Sequence, residues 1–278
     1  MFALFPAPIA MRFYKIHALC LDAPLVAVLG MLAVHDAVGH SLMPGRAIIV
    51  FLTVWLAYVG DRWMDARRNS LGALHSPRHC LFVANPERWL RVWLGMFLTN
   101  LLLSIWVLSW AEWFYGLLIG AGSITYTIMS QKRAWKGVRK ELAVGLMFGW
   151  VAGGFKPWEL SWSGYLMMLS IGSLCALNSL WVSRNDWSLD ELRAEFSAFR
   201  RRGDTSPESL ARRIWIALSF GSIVSALWVS VPFAIIGAAY VGGMFWISGK
   251  SSFSSEYIFS AVADGALVLA LILGLIVL

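Results

Sequence analysis

Apolar residues along this chain gather into long runs separated by short polar, mostly basic segments. A helix needs about 20 apolar residues to cross a bilayer core. Nine runs approach that length: Pro24 to Val38, Ile48 to Gly60, Leu90 to Trp110, Trp113 to Met129, Leu142 to Phe155, Tyr165 to Val182, Ile214 to Val231, Phe233 to Ile247 and Tyr257 to Leu278. Only Pro232 separates the seventh from the eighth. Several runs are short for a crossing, which predicts helices that extend into their polar flanks. The pattern predicts an all-α polytopic membrane protein, a bundle of about nine transmembrane helices in a single domain over residues 1–278. Cytoplasmic loops near 61–89, 130–141 and 184–213 are expected to cap a pocket.

Composition narrows the class. Hydrophobic residues make up 59% of the chain and charged residues 14%, against about 45–50% and about 25% in soluble domains. The mean hydropathy is +0.66. Sixteen tryptophans suit a bilayer, whose interfaces favour indole rings. Trp106, Trp110, Trp113, Trp158 and Trp162 read as interfacial anchors. The opening MFALFPAPIAM holds two prolines and lacks a basic lead, so no cleaved signal is expected; Met11, followed by a basic stretch, is an alternative start. Cys20, Cys80 and Cys175 are scattered, and no CxxC pair supports a disulfide frame or a zinc knuckle. His75, His79 and Cys80 have ligand-like spacing, but Ser76 and Pro77 between them favour a loop.

Charge orients the chain. With nine spans, every Lys and Arg except Arg46 and Lys156 falls on the side of the amino terminus. The positive-inside rule makes that side cytoplasmic and leaves the carboxyl terminus outside. The net charge of +7 is therefore one-sided, suited to orientation and to anionic lipid. No separate basic domain exists, so nucleic acid is not an expected partner. Gly116, Gly120 and Gly122, inside an apolar run, are expected to allow close helix packing.

The second run ends in Asp61 and Asp65, four residues apart and so on one helical face. Both lie where the helix dipole is negative. A bound cation relieves that repulsion; so does pairing with Arg62, Arg67 or Arg184. Tyr58 shares the face of Asp61. The sixth run ends with Asn178 and Asn185, followed by Asp186 and Asp190. Both runs exit on the cytoplasmic side, so the two acidic segments are expected to face one another. Asp61, Asp65, Asn178 and Asp186 are candidate magnesium ligands, and Asn185 joins the candidate catalytic set. Oxygen-rich surroundings of this kind bridge magnesium to a substrate phosphate. The loop between, with Lys132, Arg133, Lys136, Arg139 and Lys140, offers cations for a diphosphate or serves topology alone.

This pattern resembles the UbiA-type membrane prenyltransferases, which have nine helices and aspartate-rich motifs after helices two and six. The resemblance runs from Leu21 to Asp190. LDAP, Leu21 to Pro24, is similar to the family's first-helix signature, with Cys20 where an arginine is usual. Asp61 and Asp65 match part of the first motif, whose leading pair here reads Ala57 and Tyr58. Tyr126 with Lys132 and Arg133 resembles the approach to helix five, and Gly145, Phe148 and Gly149 its entry. Asn178 and Asn185 stand where aspartates are usual, while Asp186 and Asp190 remain. The resemblance implies an integral membrane enzyme moving an isoprenoid group from an allylic diphosphate to an aromatic or lipid acceptor. It implies Mg2+, with fewer ions than usual given the lost carboxylates. Arg62, Lys132, Arg133, Lys140 and Asp190 would contact the substrate, and Tyr58, Tyr126 and Trp181 would shelter an allylic cation.

Other readings stay open: an inactive or transporter-like membrane protein on the same scaffold, or a membrane terpene cyclase. Asp264, within the ninth run, is costly in a membrane. It is either functional, paired with a neighbour such as Lys250, or protonated. Asp22 and Asp36 read as interfacial.

Overall fold

The computed structural model describes residues 17–68, 82, 84–131, 139–185, 206–249 and 256–278. Among these residues the chain forms nine helices, one 3-10 turn (Pro157–Glu159) and no strand. The helices are α1 (Asp22–Ala37), α2 (Pro44–Arg68), α3 (Pro86–Val107), α4 (Trp110–Gln131), α5 (Arg139–Ala152), α6 (Trp162–Asn185), α7 (Ser206–Leu227), α8 (Val231–Gly249) and α9 (Glu256–Val277). Each follows one apolar run of the sequence, and α2, α6 and α7 extend well into polar flanks. Pro232 sits in the first turn of α8, where a missing backbone N–H costs nothing. Four segments are long and apolar enough to cross a membrane: Pro44–Met64, Pro86–Val107, Trp162–Ser183 and Ser260–Val277. The apolar helices Arg213–Leu227 and Val231–Trp246 are shorter.

Helix α6 is the hub, packing on α1, α5, α7, α8 and α9. Its closest partner is α5. A Cβ added at Gly145 would lie 2.5 Å from the Gly172 carbonyl oxygen and 2.5 Å from the Ala176 Cβ. The residues that resemble a family entry to helix five thus have a local role: they let two backbones touch. The main core joins Met31 and Val34 of α1, Met167, Ile171 and Leu177 of α6, Met244 of α8 and Leu267 and Leu271 of α9. A second cluster, with Trp55, Leu56 and Val59, secures α2 against α3. There the Trp93 indole donates to the Leu56 carbonyl at 2.8 Å, and Asn100 donates to Thr53 at 2.9 Å.

Helices α3 and α4 turn Leu102, Ile105, Phe114 and Leu117 outward, and Trp106, Trp110 and Trp162 are strongly exposed at helix ends. Gly116, Gly120 and Gly122 correct the sequence expectation. A Cβ at any of them meets nothing within 4 Å, so they lie on this outward surface and join no close helix crossing among the described residues. The two cations that break the charge asymmetry are both paired. Arg46 contacts Glu112 at 2.6 Å and Lys156 contacts Glu159 at 2.8 Å. Glu112 also accepts hydrogen bonds from the Ser109 amide and hydroxyl, both at 2.8 Å, so its side chain caps the start of α4.

Candidate functional site

The start of α1, the last turns of α6 and the early turns of α9 meet at one end of the molecule, and they bury a polar group there. Its assembly begins just before α1. Cys20 is buried and adopts φ 55°, a left-handed conformation that a residue with a Cβ rarely takes. The Cys20 amide donates to the His17 carbonyl at 3.1 Å, and the Trp55 indole of α2 donates to the Leu19 carbonyl at 3.1 Å. This tight reversal folds His17 back over Asp22, the first residue of α1. His17 Nδ1 lies 2.6 Å from Asp22 Oδ2 and 3.2 Å from Asp264 Oδ2. Asp22 Oδ1 accepts the Ala23 amide at 3.0 Å, a favourable place for a carboxylate at a helix start.

Asp264 reaches across to α6, where Asn178 Nδ2 donates to its Oδ1 at 2.6 Å. The Asn178 amide oxygen in turn accepts the Tyr240 hydroxyl of α8 at 2.8 Å. Tyr240 stacks edge-on with Trp181, ring centroids 6.0 Å apart, and Trp181 meets Trp215 of α7 at 5.7 Å. Cys175, one turn before Asn178, is within electrostatic reach of Asp264. Five helices and the segment before α1 therefore contribute to one buried network.

A second polar group adjoins the first through α2. Tyr58 is within electrostatic reach of Asp22 and Asp264 on one side and of Arg62 and Tyr126 on the other. Its ring meets Phe148 of α5 edge-on at 6.4 Å. Tyr126 is likewise within reach of Lys140, Asp61, Glu141 and Arg62. Glu141 is buried and accepts the Ser183 hydroxyl of α6 at 2.7 Å. Asp61 and Arg62 are partly buried in the last turns of α2.

The residues singled out in the sequence thus divide. Tyr58, Asp61, Arg62, Tyr126 and Lys140 form one neighbourhood. Asn178 and Trp181 belong to the other, and Tyr58 bridges the two. Both ends of the Asn178 amide are engaged by Asp264 and Tyr240, so its described role is to hold Asp264. Lys132, Arg133, Asp186 and Asp190 lie outside the described residues, as do the side chains of Asp65 and Asn185 and the loop carrying His75, His79 and Cys80. Lys250 also lies outside them; among the described residues Asp264 meets His17, Asn178 and, through a side-chain hydrogen bond, Asp22. Asp22 is a buried member of the network at the start of α1. His17 and Tyr240 carried no signal in the sequence beyond their residue types. No family model, curated protein or solved structure matches this chain.

Proposed function

We propose that this chain is a multi-pass membrane prenyltransferase with a UbiA-like arrangement of helices, its amino terminus cytoplasmic and its carboxyl terminus outside. It moves an isoprenoid group from an allylic diphosphate to an aromatic or lipid acceptor. The observation that carries the reading is the convergence around Tyr58. Acidic, basic and phenolic side chains from α2, α4 and α5 (Asp61, Arg62, Tyr126, Lys140 and Glu141) gather near it, on the side that the charge asymmetry of the sequence makes cytoplasmic. Such a place keeps a charged head wet while an isoprenoid tail lies among helices.

Arg62 and Lys140, with Lys132 and Arg133, would grip the diphosphate, because cations that stay charged stabilise a leaving group as its charge develops. The partly buried Asp61, with Asp65 and Asp186, offers the oxygen donors that suit magnesium. Magnesium, when bound, supplies further charge stabilisation to the diphosphate. Asn178 fits this role less well, since its amide is already engaged at both ends. The allylic C–O bond breaks, diphosphate departs, and the cation rests against the ring faces of Tyr58, Tyr126 and Trp181. An electron-rich acceptor forms the new C–C or C–O bond and loses a proton. The apolar core excludes water, the competing nucleophile.

The test uses membranes bearing the protein, incubated with labelled geranyl, farnesyl and longer diphosphates, with and without magnesium. Magnesium-dependent diphosphate release is expected, with loss in Asp61→Ala and Asp65→Ala. Unchanged turnover in both variants overturns the reading. A second reading, a transporter-like protein on the same scaffold, draws on the buried His17 and Asp22 and the partly buried Asp264, because ionisable groups inside a bundle commonly line ion or proton paths. Proton-coupled flux into proteoliposomes, without diphosphate release, would favour it.

A further inference from the structure

The diphosphate reading makes no use of His17, Asp22 and Asp264, and their arrangement has a chemistry of its own. Each carboxylate has one oxygen fixed by a neutral donor: Asp22 by the Ala23 amide, and Asp264 by Asn178, which Tyr240 fixes in turn. The other oxygen of each turns toward the same imidazole nitrogen, at 2.6 and 3.2 Å. One ligand atom from each residue lies within 4.8 Å of the other two. Such outer hydrogen bonds orient the inner ones of metal-ligating carboxylates in the same way.

Charge counting sharpens the point. A ring nitrogen carries at most one proton, so His17 Nδ1 serves one of the two carboxylates well and the other poorly. Two ionised carboxylates against one imidazolium would leave a net negative charge in a largely buried place unless the proton of the Asp22–Asp264 side-chain hydrogen bond balances it, and no Lys or Arg among the described residues pairs with either. Isolated buried charge is strongly unfavourable. A divalent cation held by a neutral imidazole and two carboxylates brings the sum to zero and gives all three atoms a common partner.

We propose that His17 Nδ1, Asp22 Oδ2 and Asp264 Oδ2 form a three-ligand site for a divalent first-row transition metal of the zinc or manganese class. The nitrogen donor points away from magnesium and calcium, which prefer oxygen donors alone. Three protein ligands leave a coordination position open, as in metal sites that act on a bound ligand rather than structural ones. The ligands come from the segment before α1 and from α1 and α9, so the site ties the two ends of the helical series together. It is separate from Asp61 and Asp65 and stands or falls independently of prenyl transfer.

Full-length protein in detergent, stripped with chelator and then loaded with cobalt in excess magnesium, tests this directly. About one cobalt per chain is expected, with a visible d–d absorption band. Cobalt retention should fall at least about tenfold in Asp264→Asn and in His17→Gln and be unchanged in Asp61→Ala. If His17→Gln does not fold, Asp264→Asn and the wild-type spectrum still decide, because Asn keeps the shape and the contact with Asn178. Three results each overturn the site: no cobalt on the stripped wild type, equal retention by Asp264→Asn, or loss in Asp61→Ala. The first would mean that a proton, and not a metal, balances the two carboxylates.

Discussion

Two acidic residues, the buried Glu112 and the partly buried Asp264, solve the same problem at opposite ends of the bundle, and they solve it differently. Glu112 meets one guanidinium, Arg46, and uses its other oxygen to close the first turn of α4. Anion and cation match one to one, and every contact serves the fold. Asp264 shares a single imidazole with Asp22 and is steadied by two neutral groups in series. There two carboxyl groups face one imidazole and share a side-chain hydrogen bond, so a proton or a cation must stand between them. An ion pair that balances is adequately explained by structure. A group whose balance depends on what sits between two carboxyls has room for chemistry.

Substitutions should separate the two ends by size and by sign. The largest effect is expected for Glu112→Gln, which strands the Arg46 charge and weakens the α4 cap. Breaking a buried pair from one side costs about 3–5 kcal/mol, read as a fall in thermal unfolding temperature in detergent. The double variant Arg46→Met with Glu112→Leu should recover most of that loss; failure to recover would mean that the pair is not the source. Next comes Tyr240→Phe, which leaves the Asn178 amide oxygen without its donor and should cost about 1 kcal/mol. It should also weaken metal retention, whereas Glu112→Gln should not. Asp264→Asn in metal-free protein should change stability by less than about 1 kcal/mol and in the opposite direction, because it removes one of two crowded anions. A loss as large as that of Glu112→Gln would erase the contrast. Lys156→Ala should be the smallest, within about 0.5 kcal/mol, since its pair with Glu159 is exposed.

The helices were legible from the sequence because a bilayer-length apolar run is a local signal. Each of the nine runs became a helix, with the break between the seventh and eighth at residues 228–230 and Pro232 in the first turn of α8. The charge asymmetry was equally local and singled out Arg46 and Lys156, although it did not name Glu112 or Glu159 as their partners. The site was only partly legible. Periodicity places Tyr58 and Asp61 on one face of α2, and the neighbourhood of Arg62, Tyr126 and Lys140 agrees with their being read together. It cannot say what faces them. Asp264 stood out because a carboxylate inside an apolar run is unusual, yet its partners His17 and Asn178 lie far away in the chain, and no spacing rule connects them. The place of Asp22 at the edge of a run does not reveal its partner; the left-handed turn at Cys20, which brings His17 over it, leaves no mark in composition. The glycines misled for a related reason. Gly116 and Gly145 look alike in sequence, but only the latter meets a neighbouring backbone.

Because α9 supplies one corner of the His17, Asp22 and Asp264 group, that corner is the last of the three to leave the ribosome. Until then His17 and Asp22 face each other without their third member, whatever the state of the intervening helices. Completion of this cluster therefore reports that α9 has docked against α1, so an assembly assay that follows it would detect a nascent chain stalled before α9.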